Sequence, residues 1–407
     1  MKAINLAVIG LGLFTACSSP SGRLQDGVWR GTLAVHDGKH APFLFEVQHA
    51  NTDSAVVTLL NGEERVSLTG IQYSADTVLI PVESYDAVIR AVVTKDNLEG
   101  RFIKNYVEND EGIAFKAERG GVISRFEAVA TPASVSIDGK WDVLFINGKN
   151  DTTRNVGIFK SENQIVTGSI LTNSGDLRFL EGALTEQGVV LSAFSGLSPY
   201  LIEINFTDDT SFEGLFYTAR SQTKLVGKRN PQAALDDAYR LAQLKRGFSS
   251  LSFALPNTEG KIISINDERY KGKVVIVSIL GSWCPNCLDE LQFLAPWYDA
   301  NKDRGVEVIG LAFERKDDLD YARKAINRLK ERFGVNYEIL FAGRAKPETI
   351  AKVLPEVQNF GGYPTTIFID KKGKVQKIHT GYSGPATGLF YEEFQKEFNQ
   401  LVDNLLQ

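Results

Sequence analysis

Two rhythms of apolar and polar residues divide the chain. Up to about residue 230, short runs rich in apolar and β-branched residues are separated by turn signals. Residues 32–35, 43–47, 55–59, 77–82, 88–94 and 98–103 are examples, and each reads as a short strand. Asp37-Gly38, Asn61-Gly62 and Asn147-Gly148 supply hairpin turns between such runs. Roughly eight strands in about a hundred residues predict a small antiparallel barrel or a sandwich. After Asn230-Pro231 the rhythm lengthens. Ala234, Ala238, Leu241 and Leu244 share one stripe of a predicted helix over 232–245, with Pro231 suited to its start and Gly247 to its end. A hairpin follows at 251–255 and 262–265, turning at 257–260. Residues 274–280 form an apolar run with Ser278 as its one polar residue, as a strand covered on both faces should be. Helices are predicted from Pro285 toward Tyr298, bent or interrupted at Pro296, and over 319–333. Strands are predicted at 306–313, 337–341, 366–370 and 375–380. Phe390, Phe394, Phe398, Leu401 and Leu405 line a closing helix.

The β-rich part reads as a duplication. Asp26-Gly27-Val28-Trp29 returns as Asp138-Gly139-Lys140-Trp141, Leu59-Leu60-Asn61 as Leu171-Thr172-Asn173, and Leu68-Thr69-Gly70 as Leu180-Glu181-Gly182, all at one offset. Leu98-Glu99-Gly100-Arg101-Phe102 matches Phe212-Glu213-Gly214-Leu215-Phe216 at a slightly longer one. Trp29 with Arg119, and Trp141 with Arg229, bracket the two repeats in a way that resembles lipocalin-like barrels. The predicted organisation is a β-rich repeat over 26–120, a linker over 121–137, a second repeat over 138–230, a bridging helix over 231–247 and an α/β domain over 248–407. The fold class is thus multidomain: a duplicated all-β N-terminal region of small antiparallel barrels or a sandwich, followed by an α/β C-terminal domain.

Length and composition agree with several domains. The 407 residues are 43% hydrophobic and 23% charged, with a net charge of −5 and both signs interspersed. That balance excludes a nucleic-acid reader, which needs a basic stripe. At the N-terminus, Lys2, an apolar run from Ala3 to Ala16, and then Cys17-Ser18-Ser19-Pro20 form a secretory signal, too short for a comfortable transmembrane helix. Phe14-Thr15-Ala16-Cys17 resembles the bacterial lipobox, with Phe in place of the usual aliphatic residue. Residues 1–16 are then a lipoprotein signal peptide and 17–25 a tether, with Cys17 lipidated. Acyl chains contributing about 0.8 kcal/mol per buried methylene would hold the rest outside the cytoplasm, on a bacterial membrane and facing the periplasm. A cleaved signal with a stray cysteine is the plainer alternative.

If Cys17 carries lipid, the remaining thiols are Cys284 and Cys287, in Trp283-Cys284-Pro285-Asn286-Cys287. The pair sits where a buried strand passes into a helix. Cys284 would begin that helix, where unpaired N–H groups and the positive end of the dipole favour its thiolate. Cys287, one turn on and less exposed, can attack a mixed disulfide formed on Cys284. Pro285 at the first helical position sacrifices no hydrogen bond. The bland alternatives are a structural disulfide or half a zinc site, but zinc normally takes four ligands and no second Cys-x-x-Cys or nearby His accompanies the pair. His36 and His40 flank a turn rather than a metal, and Asn205-Phe206-Thr207 reads as strand sequence rather than a glycosylation site. No metal and no separate cofactor are expected. Further along, Gly362-Tyr363-Pro364-Thr365-Thr366 places a proline just before a strand. A cis bond there would turn the main chain of Tyr363 and Thr365 toward an extended substrate, whereas a trans proline would merely start the strand.

Phe253-Ala254-Leu255-Pro256, Gly260-Lys261, Lys271-Gly272-Lys273-Val274-Val275, Gly281-Ser282-Trp283-Cys284-Pro285-Asn286-Cys287 and Gly362-Tyr363-Pro364-Thr365-Thr366 follow one another in order. Together they resemble the TlpA/ResA-like thiol–disulfide oxidoreductases, extracytoplasmic members of the thioredoxin superfamily. The resemblance covers about residues 248–407 and does not reach 26–230. It implies a thioredoxin-like domain, a membrane-tethered dithiol as the redox centre, a cis Pro364, and reduction of protein disulfides. Trp283, Pro285, Tyr363 and Thr365 would meet the substrate. In that family a Glu follows the second Cys by three, here Glu290, where a partly buried carboxylate could move a proton during exchange; a solvated helix charge is the plain alternative. Leu291-Gln292 replaces the family's usual proline after that Glu, and the proline inside Cys-x-x-Cys is first rather than second. Expected partners are protein thiols and disulfides, an upstream membrane or soluble thiol reductant, and membrane lipid through Cys17. Competing functions are an oxidase or isomerase of the same fold, a binding lipoprotein with an auxiliary thioredoxin domain, and a peroxidase, which the Cys-x-x-Cys disfavours.

Overall fold

The computed structural model describes residues 22–121 and 124–407. The expected signal peptide and the lipidation site Cys17 lie outside the described residues. The N-terminal half is all-β and the C-terminal part is a thioredoxin-like α/β domain.

The first sheet has nine antiparallel strands running as a meander from Gly27–Ala34 to Ile113–Arg119, and these two outer segments of sequence pair with each other. It stays open between Glu64–Leu68 and Gln72–Ser74. The second sheet closes. Gly139–Ile146 pairs with both Thr152–Glu162 and Gln222–Arg229, and Thr152–Glu162 also pairs with Ile165–Thr172. Closure gives each of the eight long strands a partner on both sides, and only the two-residue strand Gly175–Asp176 is paired on one side. Trp29 stands opposite Arg119 in the first sheet, and Trp141 opposite Arg229 in the second. Both indoles are buried, and each donates its N–H to the carbonyl four residues upstream, Gln25 at 2.9 Å and Ile137 at 2.7 Å. The tryptophans anchor equivalent corners, plugging the sheet interior while satisfying their polar edge.

Arg125, in the expected linker over 121–137, is built into the junction between the sheets. The buried Arg125 donates to Ser192 O at 2.7 Å, to Leu60 O at 2.6 Å and to Asn61 Oδ1 at 2.9 Å. It bridges the two barrels as a cation whose hydrogen bonds replace water.

The predicted bridging helix over 231–247 is a correction. A single turn, Ala238–Leu241, forms, and Gln243–Leu244 is extended, paired with Val357–Gln358. Burial explains the change: the chain is fixed at Ala233, in a cluster with Val156 and Leu171, and at Ala242, in the C-terminal core, rather than along the predicted stripe. Two separate anchors override helix propensity in so short a segment.

The C-terminal sheet has the order Glu338–Arg344, Val306–Glu314, Val274–Leu280, Thr365–Ile369, Val375–Thr380. The first three strands are parallel and the last two antiparallel to their neighbours. Val274–Leu280 is buried at every position. Val274, Ile276 and Leu280 face Leu288, Leu291, Ile326 and Phe398, whereas Val275, Val277 and Ile279 face Phe253, Ile350 and Leu354. Of the bend or interruption expected at Pro296, the interruption does not occur: the helix Pro285–Asn301 runs through it. Pro296 is exposed while Trp297 and Tyr298 beside it are buried, so packing holds the turn in which the proline donates no hydrogen bond. A short helix, Pro347–Val353, was not apparent from the sequence pattern.

Candidate active site

The strand Val274–Leu280 delivers the chain to Cys284 at the sheet's carboxyl end. Cys284 is the N-cap of Pro285–Asn301, and its Sγ accepts the Cys287 N–H at 3.3 Å. An amide that a helix start ordinarily leaves without a partner thus points at sulfur. Both cysteines are free thiols and both are buried, Cys284 at 6% exposure and Cys287 at 0%. Burial, then the contact with Cys284, pushes the Cys287 thiol well above its ordinary range. The two sulfurs are therefore unequal: one caps the helix, the other lies beneath it.

The Tyr363–Pro364 bond is cis, and the Cys284 thiol lies 3.6 Å from Tyr363 O. Thr365 is fully buried and in register with both Ile279 and Thr380, so the expected free main chain at Thr365 is absorbed by the sheet. The edge next to Cys284 is Tyr363 and Gly362. Trp283 packs edge-on against Tyr363 at 5.2 Å and donates its indole N–H to Phe313 O at 2.9 Å. Pro285 occupies the first helical turn as expected.

Glu290 is 3% exposed and not a solvated helix charge. Its carboxylate accepts from Ser278 Oγ at 2.6 Å and from Thr366 Oγ1 at 2.5 Å. Burial raises its pKa, against the pull of those two hydroxyls. Its charge acts on Cys287, one helical turn away.

Several residues at the site escaped the sequence pattern. Glu314, fully buried, accepts Ser282 N at 3.1 Å and Ser282 Oγ at 2.6 Å, and burial pushes it up to about 7. Ser278 was visible as a lone polar residue inside an apolar strand, but its partner was not. From the closed barrel, Arg178 donates to Pro285 O at 2.9 Å and pairs with Asp289 at 2.7 Å; it also pairs with Glu64 of the open barrel. The Arg315 guanidinium lies 5.3 Å from the Trp283 ring and 3.8 Å from that of Tyr106. Both barrels therefore reach the neighbourhood of the cysteines. His36 and His40 stay at their turn, and no cluster of three or more potential metal-ligating side chains occurs among the described residues. No helix among the described residues is long and apolar enough to cross a membrane.

Chemically, a capped sulfur above a buried thiol, with a buried carboxylate one turn deeper, suits two-step exchange through a mixed disulfide. Comparison with known proteins gives matches to the same region. The AhpC/TSA family model matches residues 249–378. Thiol-disulfide oxidoreductase ResA of Bacillus subtilis (strain 168) is 29% identical over 138 residues, covering 34% of this chain and 69% of the relative. The protein of the same name from Bacillus thuringiensis subsp. konkukian is 32% identical over 158 residues, covering 38% and 79%. Among solved structures, a thiol:disulfide interchange protein of the thioredoxin family from Chlorobium tepidum TLS aligns at 23% identity over 40% of this chain and 99% of that one, with a TM-score of 0.30.

Proposed function

The chain belongs to the ResA-like thiol–disulfide oxidoreductases, and from that premise we propose that it reduces protein disulfides outside the cytoplasm, held to a bacterial membrane through lipid on Cys17. Cys284 is the attacking sulfur. As a thiolate it bonds to one sulfur of a substrate disulfide and expels the other as a thiolate, which takes up a proton. Cys287 then loses its proton, attacks Cys284 Sγ, and releases the second substrate thiol as the Cys284–Cys287 disulfide forms. Two electrons pass from the dithiol to the substrate, and a thiol reductant upstream restores the pair. The redox group is the cysteine pair itself, with no separate cofactor.

The observation that carries this assignment is the inequality of the two sulfurs: Cys284 caps the helix and takes the Cys287 N–H, while Cys287 is sealed below. Glu290 accepts the Cys287 proton in the second step; its burial one helical turn from Cys287 supports this role, because a carboxyl raised by burial is a better base than an exposed one. Trp283, Pro285 and Tyr363 form the rim a substrate meets. The two Trp-anchored barrels support a duplicated module that serves as spacer and docking body.

Insulin reduction with dithiothreitol is expected in the native protein and is abolished by Cys284→Ala. Cys287→Ser is expected to accumulate mixed disulfides instead of free products. Direction is read from the reduction potential of the pair against glutathione: a value well above the glutathione couple would make the protein an oxidase or isomerase and overturn the reductase assignment.

A further inference from the structure

Between the strands Ile165–Thr172 and Leu180–Leu184, the closed barrel sends a tip, residues 173–178, onto the three loops that frame Cys284. At the start of the redox helix, Gly175 presses on Asn286 so closely that a Cβ at 175 would lie 1.8 Å from the end of the Asn286 side-chain amide. At the loop before Pro364, a Cβ on Gly362 would lie 3.1 Å from Ser174 Cβ. At the loop after Val375–Thr380, a Cβ on Gly381 would lie 2.7 Å from Asn173 O, and Gly384 donates its N–H to Asp176 Oδ2 at 2.8 Å. Arg178 closes the set by donating to Pro285 O and pairing with Asp289. Behind the tip there remains a gap of about 80 Å³, lined by Asn61, Glu64, Tyr200, Pro285 and Asn286 among others, which has room for a few waters and not for a polypeptide. Cys284 keeps 6% of its surface.

An extended chain approaching Cys284 along Tyr363 must cross this ground. We propose that residues 173–178 determine specificity by occupying the substrate groove: a protein disulfide reaches Cys284 when the tip is displaced, and chains that cannot displace it are rejected. This inference rests on the disulfide-exchange function assigned above. The bare glycines set the closeness of fit, Gly175 against the Asn286 side chain, Gly362 against the Ser174 side chain and Gly381 against the backbone of Asn173 and Ser174, and the Asp176–Gly384 and Arg178–Asp289 contacts hold it. With the groove covered, the observed rate is the intrinsic rate multiplied by the open fraction.

The test uses the full-length protein. Gly175→Ala drives a methyl group into Asn286, at a backbone φ of +146° that already disfavours a side chain, and changes no charge. Asp176→Ala removes the acceptor for Gly384. Each is expected to raise insulin reduction and iodoacetamide labelling of Cys284 by about tenfold, as a shift in open fraction predicts. An independent measurement needs no tip variant: in Cys287→Ser trapped as a mixed disulfide with an insulin chain, hydrogen exchange at residues 173–178 and at the Gly384 amide is expected to speed up relative to the free protein. If the native protein reduces insulin but Gly175→Ala is no faster, or if the tip stays protected in the trapped complex, the groove assignment is overturned and the redox function stands. If no form carrying both cysteines reduces insulin, both fall together.

Discussion

Arg178 and Asp289 meet at 2.7 Å, tying the closed barrel to the redox helix with 14% and 11% of their side chains exposed. Burial pushes Asp289 up to about 7 even though the guanidinium pulls it down. The desolvation of the carboxylate therefore outweighs its pairing, as buried ion pairs commonly show.

Removing one partner of this pair is expected to cost more than removing both. Arg178→Met leaves Asp289 and Glu64 facing each other without their cation and should lower the unfolding free energy by about 3 kcal/mol. Arg178→Met combined with Asp289→Leu should recover part of that loss. Urea titrations of the two single variants and the double variant measure the coupling. Strict additivity would show that the pair does not hold the barrel to the helix.

Glu290→Gln keeps the shape that Ser278 and Thr366 bind but removes the base. Attack by Cys284 on a chromogenic aromatic disulfide should be unchanged. Release of the second thiol, which needs the Cys287 proton to leave, should slow by about a hundredfold. Because burial raises the Glu290 carboxyl, the native release rate should climb with pH through an inflection above the ordinary glutamate range. Stopped-flow traces of the variant should lack that inflection.

Stability should carry opposed pH signatures from two buried groups. Glu314 rises from 4.5 to about 7, so between those values the folded protein keeps a proton that the unfolded chain has lost, and stability falls as pH rises. His379, packed against Tyr239 and Phe394, drops from 6.5 to about 4. There the unfolded chain holds the extra proton, so stability rises with pH across that window. Glu314→Gln should remove the falling component, worth up to about 3 kcal/mol at 1.4 kcal/mol per unit, though Gln offers one acceptor fewer to Ser282. Urea midpoints from pH 4.5 to 8 for the native protein and the variant give the difference curve; parallel curves would exclude Glu314 as the source.

Arg125→Met strips the barrel junction of its hydrogen bonds to Ser192, Leu60 and Asn61. Buried acceptors left without donors should cost about 3 kcal/mol or more. The loss falls between the barrels rather than within either, so calorimetry should show their unfolding separating into two steps. A single unshifted transition would mean that other contacts hold the junction.

The redox motif was legible because its chemistry is local. Cys284, Pro285 and Cys287 need one helix start, and their spacing along the sequence already places them there. Strand–helix alternation after residue 248 followed from hydrophobic period, and the strand over 274–280 and the helix over 319–333 appear where the pattern placed them. The bridging helix failed for the converse reason. Ala233 and Ala242 are fixed by different cores, and nothing within the segment announces either. Thr365 differs from expectation for the same reason: Ile279 and Thr380, each on another strand, flank its main chain on either side.

By itself the sequence determined the β-rich character of the N-terminal half, the α/β order of the last domain and the identity of the two sulfurs, since each follows from neighbours within a turn or a strand. The tertiary structure alone decided that Glu290 is sealed by Ser278 and Thr366, that Glu314 lies beneath Ser282, and that a barrel tip rests against Asn286. Those meetings join residues far apart in the chain. Their partners are selected by the packing of whole sheets, which no local run of side chains encodes.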